Sequence, residues 1–244
     1  MFRVTRHGFK EMLIGSVVLA LMAMALGWAW WPLALLALPV LFWLFAFFRD
    51  PERVVPTEDH LMVSPADGTI SDITRIEHDE DLGGPAVRVG IFLSVFSVHI
   101  NRSPCDAKVL DIRYKKGKFI NAMSHGRASD ENESNTVVLG EPTTGRPIAV
   151  VKQIVGLIAR RIIFTASKGE VLNRGARIGM IKFGSRTELL IPKWLDPQIQ
   201  VKEGDAVRGA ATVVARLGNP IHSVHRELAD EQEYERLAPR ETPT

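Results

Sequence analysis

An apolar segment near the N-terminus constrains this chain more than any other feature. No charged side chain occurs between Met12 and Phe48. One membrane-spanning helix needs about 20 apolar residues, so the segment is nearly long enough for two. Pro32, with the tryptophans just before it, provides a break, because proline interrupts helices and tryptophan favours the membrane–water interface. The segment therefore predicts a membrane hairpin over residues 12–48, with helices at 12–30 and 32–48.

Basic residues flank this segment on both sides. Arg3, Arg6 and Lys10 precede it, and Arg49 and Arg53 follow it. Lys and Arg at the ends of membrane helices mark the cytoplasmic side. We therefore expect the basic N-terminus (residues 1–11) and the domain after the segment to lie on the cytoplasmic face of the membrane. One long tilted helix, and a re-entrant hairpin that crosses only partly, are the alternatives.

The composition changes sharply after Asp50, where short apolar runs alternate with glycine-containing turns. Runs of this length are typical of β-strands. They cover residues 86–99, 136–139, 148–155, 161–164, 178–183, 188–191 and 211–217. We expect a mostly β (β-rich α+β) domain over residues 49–217, followed by a polar C-terminal tail over residues 218–244.

The overall composition narrows the possible functions. A formal net charge of +2 predicts no strongly basic face, so we expect no nucleic-acid partner. Cys105 is the only cysteine, which excludes an internal disulfide and a Cys-rich zinc site. No pair of histidines has ligand spacing near a carboxylate, so no metal site is predicted. We expect Cys105 to be a packed core residue rather than a nucleophile.

A glycine–serine pair, Gly184 and Ser185, lies between two apolar runs. A bend or bulge in a sheet is the simple interpretation, because glycine adopts unusual backbone angles. Self-cleavage is the alternative, since the Ser185 hydroxyl can attack the unhindered Gly184 carbonyl and convert the amide to an ester. Elimination and hydrolysis would then leave a pyruvoyl group and ammonia. This chemistry needs a base and an oxyanion donor.

Two further residues are candidates for proton transfer. Asp67 lies in a Pro- and Gly-containing stretch at 64–68, which predicts either a plain turn or a carboxylate that orients a histidine or moves a proton. Of the seven histidines, His99 is the one at the end of a strongly apolar run. If this run is one strand, His99 shares a face with Leu93, Val95 and Ser97. Burial there would tune its pKa.

Several segments occur in a recognisable order along the chain. They are residues 47–51 (FFRDP), 64–68 (SPADG), 92–102 (FLSVFSVHINR), 117–122 (GKFINA), 131–133 (ENE), 153–156 with 159–161 (QIVG, ARR) and 179–186 (GMIKFGSR). Together they resemble the short-form bacterial phosphatidylserine decarboxylases. The resemblance in sequence extends over about residues 47–209. The N-terminal segment resembles that of the family only in its hydrophobic character.

The resemblance implies a pyruvoyl-dependent carboxy-lyase made as a proenzyme at the bacterial cell membrane. Cleavage between Gly184 and Ser185 would give a β chain of residues 1–184 and an α chain of residues 185–244, associated as a heterodimer; a higher oligomer is left open. The cofactor would be the pyruvoyl group formed from Ser185, with no metal and no pyridoxal phosphate. It would form a Schiff base with phosphatidylserine and release CO2 and phosphatidylethanolamine.

The resemblance also implies roles for individual residues. Asp67 and His99 match positions used in self-cleavage or catalysis. Longer relatives carry a second histidine where this chain has Arg102, so either His99 serves both steps or Asp67 acts with another group. Arg102 is a candidate contact for a substrate carboxylate or phosphate. The residues themselves make Arg160 and Arg161 candidates for the same contact, or alternatively charges that protect an edge strand from pairing.

Three rival functions follow from the same residues. The first is a pyruvoyl decarboxylase of a soluble amino acid, and the second is a non-enzymatic, membrane-tethered β module. The third, a serine hydrolase, lacks the Gly-x-Ser-x-Gly pattern.

Overall fold

The computed structural model describes residues 3–120, 129–156, 161–182, 185–219 and 221. A short 3-10 turn at Arg6–Gly8 leads into helix α1, Phe9–Ala29. A second 3-10 turn at Trp31–Leu36 contains Pro32 and leads into helix α2, Ala37–Phe47. The chain is extended at Trp30, so the break falls where the tryptophans and the proline predict it.

The two helices pack side by side along the apolar segment. A Cβ atom added at Gly15 would lie 2.7 Å from a Leu44 methyl group, which shows how closely they approach. Most other apolar side chains of α1 point outwards; Leu13 and Leu21, for example, are each about 60% exposed. Among the described residues, one helix, Arg6–Ala29, is long and apolar enough to cross a membrane, and Trp31–Phe47 is a shorter apolar helix. The number of crossings stays a prediction.

The rest of the described chain is built from fourteen strands. They are β1 (Leu61–Val63), β2 (Gly68–Asp79), β3 (Gly84–Leu93), β4 (Ile100–Arg102), β5 (Ala107–Lys115), β6 (Ser134–Gly140), β7 (Pro147–Val155), β8 (Arg161–Phe164), β9 (Val171–Leu172), β10 (Arg177–Lys182), β11 (Ser185–Pro192), β12 (Pro197–Ile199), β13 (Ala206–Val207) and β14 (Val213–Leu217). A short 3-10 turn, Lys193–Leu195, follows β11. The predicted fold class, a mostly β domain preceded by an apolar helical segment, is confirmed.

The strands form three antiparallel sheets. The largest has eight strands in the order β13-β2-β3-β11-β7-β6-β5-β9, and the two smaller sheets have the orders β4-β10-β8 and β1-β14-β12. Apolar side chains from the large sheet and from β1 and β14 form the main core. Cys105 belongs to this core, and burial raises the pKa of its thiol to about 12, so it is a packed residue as predicted.

The prediction of one continuous strand over residues 86–99 is wrong. Strand β3 ends at Leu93 and β4 begins only at Ile100. Ser94 and Ser97 close a turn between them, through a 2.9 Å backbone hydrogen bond and a 3.2 Å contact of their hydroxyls. Serine side chains that bond to nearby polar groups compete in this way with the sheet ladder. His99 therefore lies in a connection between two sheets rather than on a strand face shared with Leu93.

The helical segment packs directly on the small β4-β10-β8 sheet. The seam is an apolar cluster that consists of Met12, Leu44, Phe47, Phe48, Val98, Ile100 and Met180. At its edge the carboxylate of Glu11 in α1 lies 2.5 Å from the Lys182 ammonium at the end of β10. The helices are thus held by the strand that leads into Ser185.

Gly90 in β3 offers a test of the packing beside Ser185. A Cβ at this position would overlap the guanidinium of Arg186 and approach Asp72, both in the neighbouring strands. We expect Gly90→Ala to lower the free energy of unfolding by about 3 kcal/mol, because it displaces a buried, paired arginine.

Gly84 provides the matched control in the same strand. A Cβ there meets nothing within 4 Å, so Gly84→Ala should change the free energy of unfolding by less than about 0.5 kcal/mol. Thermal unfolding of both variants in one detergent compares them. Equal midpoints for the two variants would contradict the packing at Gly90.

Candidate active site

Ser185 is the first residue of β11, at the centre of the large sheet. It pairs with Leu93 of β3 on one side and with Val155 of β7 on the other. The side chain is completely buried, and its Oγ has no hydrogen-bond partner among the described residues. Leaving a buried hydroxyl unpaired costs about 1–3 kcal/mol, so such a group calls for a functional explanation. The preceding residue, Gly184, lies outside the described residues.

His99 is the second completely buried polar residue with an unpaired atom. Its Nδ1 lies 2.9 Å from the carbonyl oxygen of Ser97. Because a carbonyl only accepts hydrogen bonds, Nδ1 carries the proton and Nε2 keeps a free lone pair. Nε2 has no partner among the described residues. Burial lowers the pKa of the imidazole to about 4, so the ring is neutral and able to accept a proton at neutral pH.

The structure brings the chain around His99 against the chain around Ser185. The His99 carbonyl accepts a 3.2 Å hydrogen bond from the Ile181 amide, in the strand that leads to Ser185. Asn101 lies two residues after His99, and Thr187 lies two residues after Ser185. The Asn101 side-chain amide donates to the Thr187 hydroxyl at 2.9 Å. The two unpaired atoms therefore belong to the same corner of the domain.

Buried side-chain amides form a chain of hydrogen bonds that ends beside Ser185. Asn135 donates to Gln153 at 3.1 Å, and Gln153 donates to Asn101 at 2.9 Å. Asn101 in turn donates to Thr187, two residues after Ser185 on the same face of β11. Sequence reasoning missed these residues. The available signal was a polar residue at an inward position of an apolar strand, as Gln153 is within β7.

Asp67 lies apart from His99 in the hydrogen-bonding network. Its carboxylate accepts from the Arg53 guanidinium at 2.6 Å and from the Gly209 amide at 2.8 Å. Burial raises the pKa of this carboxyl, although the charge of Arg53 opposes the shift. The group that orients His99 is the Ser97 carbonyl. Asp67 and Ser97 nevertheless line one cavity of about 740 Å³.

The predicted substrate-binding arginines occupy different environments. Arg102 is buried and donates to Asp50 at 2.9 Å, and to the Pro51 and Gly175 carbonyls at 3.0 and 3.1 Å. It braces the chain that leaves α2 against β4. Arg161 is exposed at the start of β8, opposite Lys182. Arg160 lies outside the described residues.

A buried ion network lies on the other face of β11. Arg186 is completely buried and donates to Asp72 and Ser71 at 2.6 Å and to Glu188 at 2.9 Å. Burial would raise the pKa of Asp72, but the charge and hydrogen bond of Arg186 outweigh it and lower the pKa. The network fixes the backbone of β11 directly after Ser185. Its signal in the sequence was a pair of opposite charges inside a strand.

The second helix of the apolar segment, α2, covers His99. The centre of the Phe47 ring lies 4.3 Å from the centre of the imidazole, and Phe47 and Phe48 pack edge to face. This aromatic cover accounts for part of the burial that keeps His99 neutral. The C-terminal end of α2 therefore forms part of the candidate site as well as the connection to the domain.

The comparisons with known proteins agree on one family. The family model for phosphatidylserine decarboxylase matches residues 41–215. The phosphatidylserine decarboxylase proenzyme of Rhodopirellula baltica is 44% identical over 86% of this chain and 87% of its own length. Those of Granulibacter bethesdensis and Ruegeria pomeroyi are 45% and 40% identical over 85% and 83% of this chain, and 83% and 88% of their own lengths. The chain belongs to the phosphatidylserine decarboxylase family.

Proposed function

We propose that this chain is a proenzyme that cleaves itself between Gly184 and Ser185 and then decarboxylates phosphatidylserine to phosphatidylethanolamine. The observation that carries the proposal is the buried Ser185 hydroxyl, held in the same corner of the domain as a neutral histidine; neither this hydroxyl nor the histidine Nε2 has a hydrogen-bond partner in the described part of the chain. A hydroxyl nucleophile and a base without other partners are what self-cleavage requires.

Self-cleavage uses the chain's own atoms. His99 accepts the proton as the Ser185 oxygen attacks the Gly184 carbonyl carbon, and the peptide nitrogen leaves, protonated, as the new amine of Ser185. The resulting ester breaks by loss of the Ser185 α-proton, which frees the Gly184 carboxylate and leaves a dehydroalanine. Addition of water and loss of ammonia give the pyruvoyl group. The buried amides that end at Asn101 are candidate donors for the oxyanion of the first step.

The surroundings of Ser185 fit a pyruvoyl group at this position. The site is enclosed, with apolar Leu93 and Val155 opposite it in the sheet and the Thr187 hydroxyl on the same face. The pyruvoyl group supplies a ketone that can bind the substrate amine and accept the electrons released with CO2.

The neutral His99 has a part in turnover as well. A ring that rests unprotonated can take a proton from the incoming amine and return it to the substrate carbon after CO2 has left. His99 is completely buried, and the Phe47 ring lies over it, so water is kept away from the imidazole. A substrate carboxylate that enters such a place loses the hydration that stabilises it, which favours loss of CO2.

The two chains formed by cleavage stay together because of the order of the strands. Strand β11 begins at the cleavage site and would belong to the α chain, whereas its neighbours β3 and β7 would belong to the β chain. The ladders on both sides of β11 run from Ser185 to Pro192 and from Ser185 to Leu190. Separation would expose a central, fully buried strand, so the heterodimer is the stable form.

The proposed location follows from the apolar helices. The Arg6–Ala29 helix is long enough to cross the bilayer, and basic residues flank the segment on both sides. We place the domain at the cytoplasmic face of the membrane, with residues 12–48 as the anchor. The acyl chains of the substrate then stay in the bilayer while the headgroup reaches the site.

Replacing Ser185 tests the cleavage. We expect Ser185→Ala to leave one unbroken chain with no decarboxylase activity, whereas the parent protein separates on a denaturing gel into pieces of residues 1–184 and 185–244. Intact-mass analysis should find a blocked, keto-bearing first residue on the smaller piece.

Ser103 provides a control for loss of a buried serine. It is also completely buried, but its hydroxyl donates to the Cys105 carbonyl at 2.7 Å. Ser103→Ala should still be cleaved, with a loss of about 1 kcal/mol in stability. An unbroken parent chain with full activity would refute the proposal.

The depressed pKa of His99 predicts an unusual pH dependence. If catalysis needs the neutral ring, kcat/KM should stay level as the pH falls through about 6.5, where an ordinary histidine would gain its proton, and decline only near the pKa of about 4. Because His99 is also the proposed base of self-cleavage, His99→Gln should leave the chain uncleaved and without decarboxylase activity. A pH–rate profile of the cleaved parent enzyme measures the pH dependence, and a denaturing gel shows whether the variant is cleaved. A half-maximal rate near pH 6.5 would contradict the lowered pKa of His99.

A further inference from the structure

We propose that the turn between β3 and β4 (residues 94–98, the Phe96 turn) inserts into the lipid surface and forms the mouth through which the substrate reaches His99. The proposal rests on the proposed function and adds to it the surface that takes up the lipid. Its occupant is the membrane itself, in the form of the acyl chains and glycerol region of an anionic phospholipid.

The turn is built to present one aromatic side chain. The Ser97 amide donates to the Ser94 carbonyl at 2.9 Å, and the Phe96 amide donates to the Ser94 hydroxyl at 3.3 Å. These bonds close the backbone on itself and leave Phe96 at the tip, 71% exposed. A large aromatic side chain held out by a self-bonded turn is costly in water and favourable at a membrane–water interface.

The turn is fastened to the end of the membrane segment. The Arg49 guanidinium donates to the Phe96 carbonyl at 2.6 Å and to the Ala46 carbonyl in the last turn of α2, also at 2.6 Å. Arg49 is the first charged residue after the apolar run, so it marks the level at which the membrane ends. Phe96 is thereby held at this level, and α2 presents further exposed apolar side chains such as Phe42 and Phe45.

The inner side of the same turn contacts the catalytic histidine. The Ser97 carbonyl accepts from the His99 ring, and the Phe47 ring covers that ring from α2. Ser97 also lines the cavity of about 740 Å³ that contains Asp67 and the exposed Arg208. A lipid beside Phe96 thus has its headgroup within reach of a polar cavity, with Arg49 and Arg208 as cations near its phosphate.

A second copy of this chain is the other surface that could cover Phe96. The lipid is favoured because Arg49 ties the turn to the base of the apolar helix rather than to a face of the β domain. The experiment therefore has to distinguish contact with lipid from contact between two copies.

A label at position 96 tests the contact with lipid. The native cysteine should not take up the label, because Cys105 is 1% exposed and burial raises the pKa of its thiol to about 12. Phe96→Cys, labelled with bimane and reconstituted in vesicles, should lose most of its fluorescence when brominated phospholipids replace ordinary ones. Val171→Cys is the control. Val171 is also exposed, at 52%, but it lies on β9, the strand at the β5 edge of the large sheet. The label at position 171 should keep its fluorescence.

Two results would overturn the proposal at this stage. One is a label at position 96 that brominated lipid does not quench. The other is fluorescence that changes with the ratio of protein to lipid and not with bromination, which would assign the turn to a contact between copies.

Kinetics test the role in substrate uptake. We expect Phe96→Ser to raise the KM for phosphatidylserine in vesicles by about tenfold, because the contact of the phenyl ring with the lipid is lost, with kcat and chain cleavage unchanged. Phe96→Leu should restore most of the loss, and Val171→Ser should have no effect. Toward a short-chain phosphatidylserine dissolved as monomers, Phe96→Ser and the parent should be equal.

The pattern of failure separates the two proposals. If Phe96→Ser slows turnover of the monomeric substrate as much as that of the vesicle lipid, the turn positions His99 and does not take up lipid. If the parent protein decarboxylates neither substrate, the proposed function fails, whatever the label at position 96 reports.

Discussion

The pairing of β11 between β3 and β7 is the constraint on which the rest of this structure depends. It places Ser185 at the beginning of a strand that is buried along its whole length. The hydroxyl therefore has no access to water, and among the described residues it has no protein partner either. The same ladders would hold the new chain end in place after cleavage. One structural element thus prepares the cleavage and preserves its product.

The apolar helices contact the candidate site as well as being the proposed membrane anchor. Glu11 of α1 pairs with Lys182 just before the proposed cleavage site, and Phe47 of α2 covers the ring of His99. A buried imidazole under an aromatic cover stays neutral, because charging it would cost solvation energy that the hydrogen bond to Ser97 returns only in part. The environment that keeps His99 neutral, as its proposed role as a base requires, is therefore supplied in part by the apolar helices. In the proposed function, anchoring and catalysis would share the same contacts.

Much of the architecture could be predicted from local pattern. Apolar runs with glycine turns located β7, β8, β10 and β14 to within a few residues. Strands β7, β10 and β14 are mostly buried and read as continuous apolar stretches, and β8 is a short apolar run although it is only partly buried. Strands β2 and β5 were missed, since their burial is partial and irregular. The run at 86–99 was read as one strand, because the local bonds of Ser94 and Ser97 that divide it leave no apolar signature.

Taken alone, the sequence determined the apolar segment, the β-rich class and the Gly184–Ser185 pair, since each depends on residues that are neighbours in the chain. Only the tertiary structure decided that Ser97, rather than Asp67, orients His99, and that Arg102 braces Asp50. It also decided that His99 is neutral at neutral pH, because Phe47, 52 positions earlier in the chain, lies on its ring. Burial and pairing arise from contacts between distant segments, and no local pattern of residues specifies them.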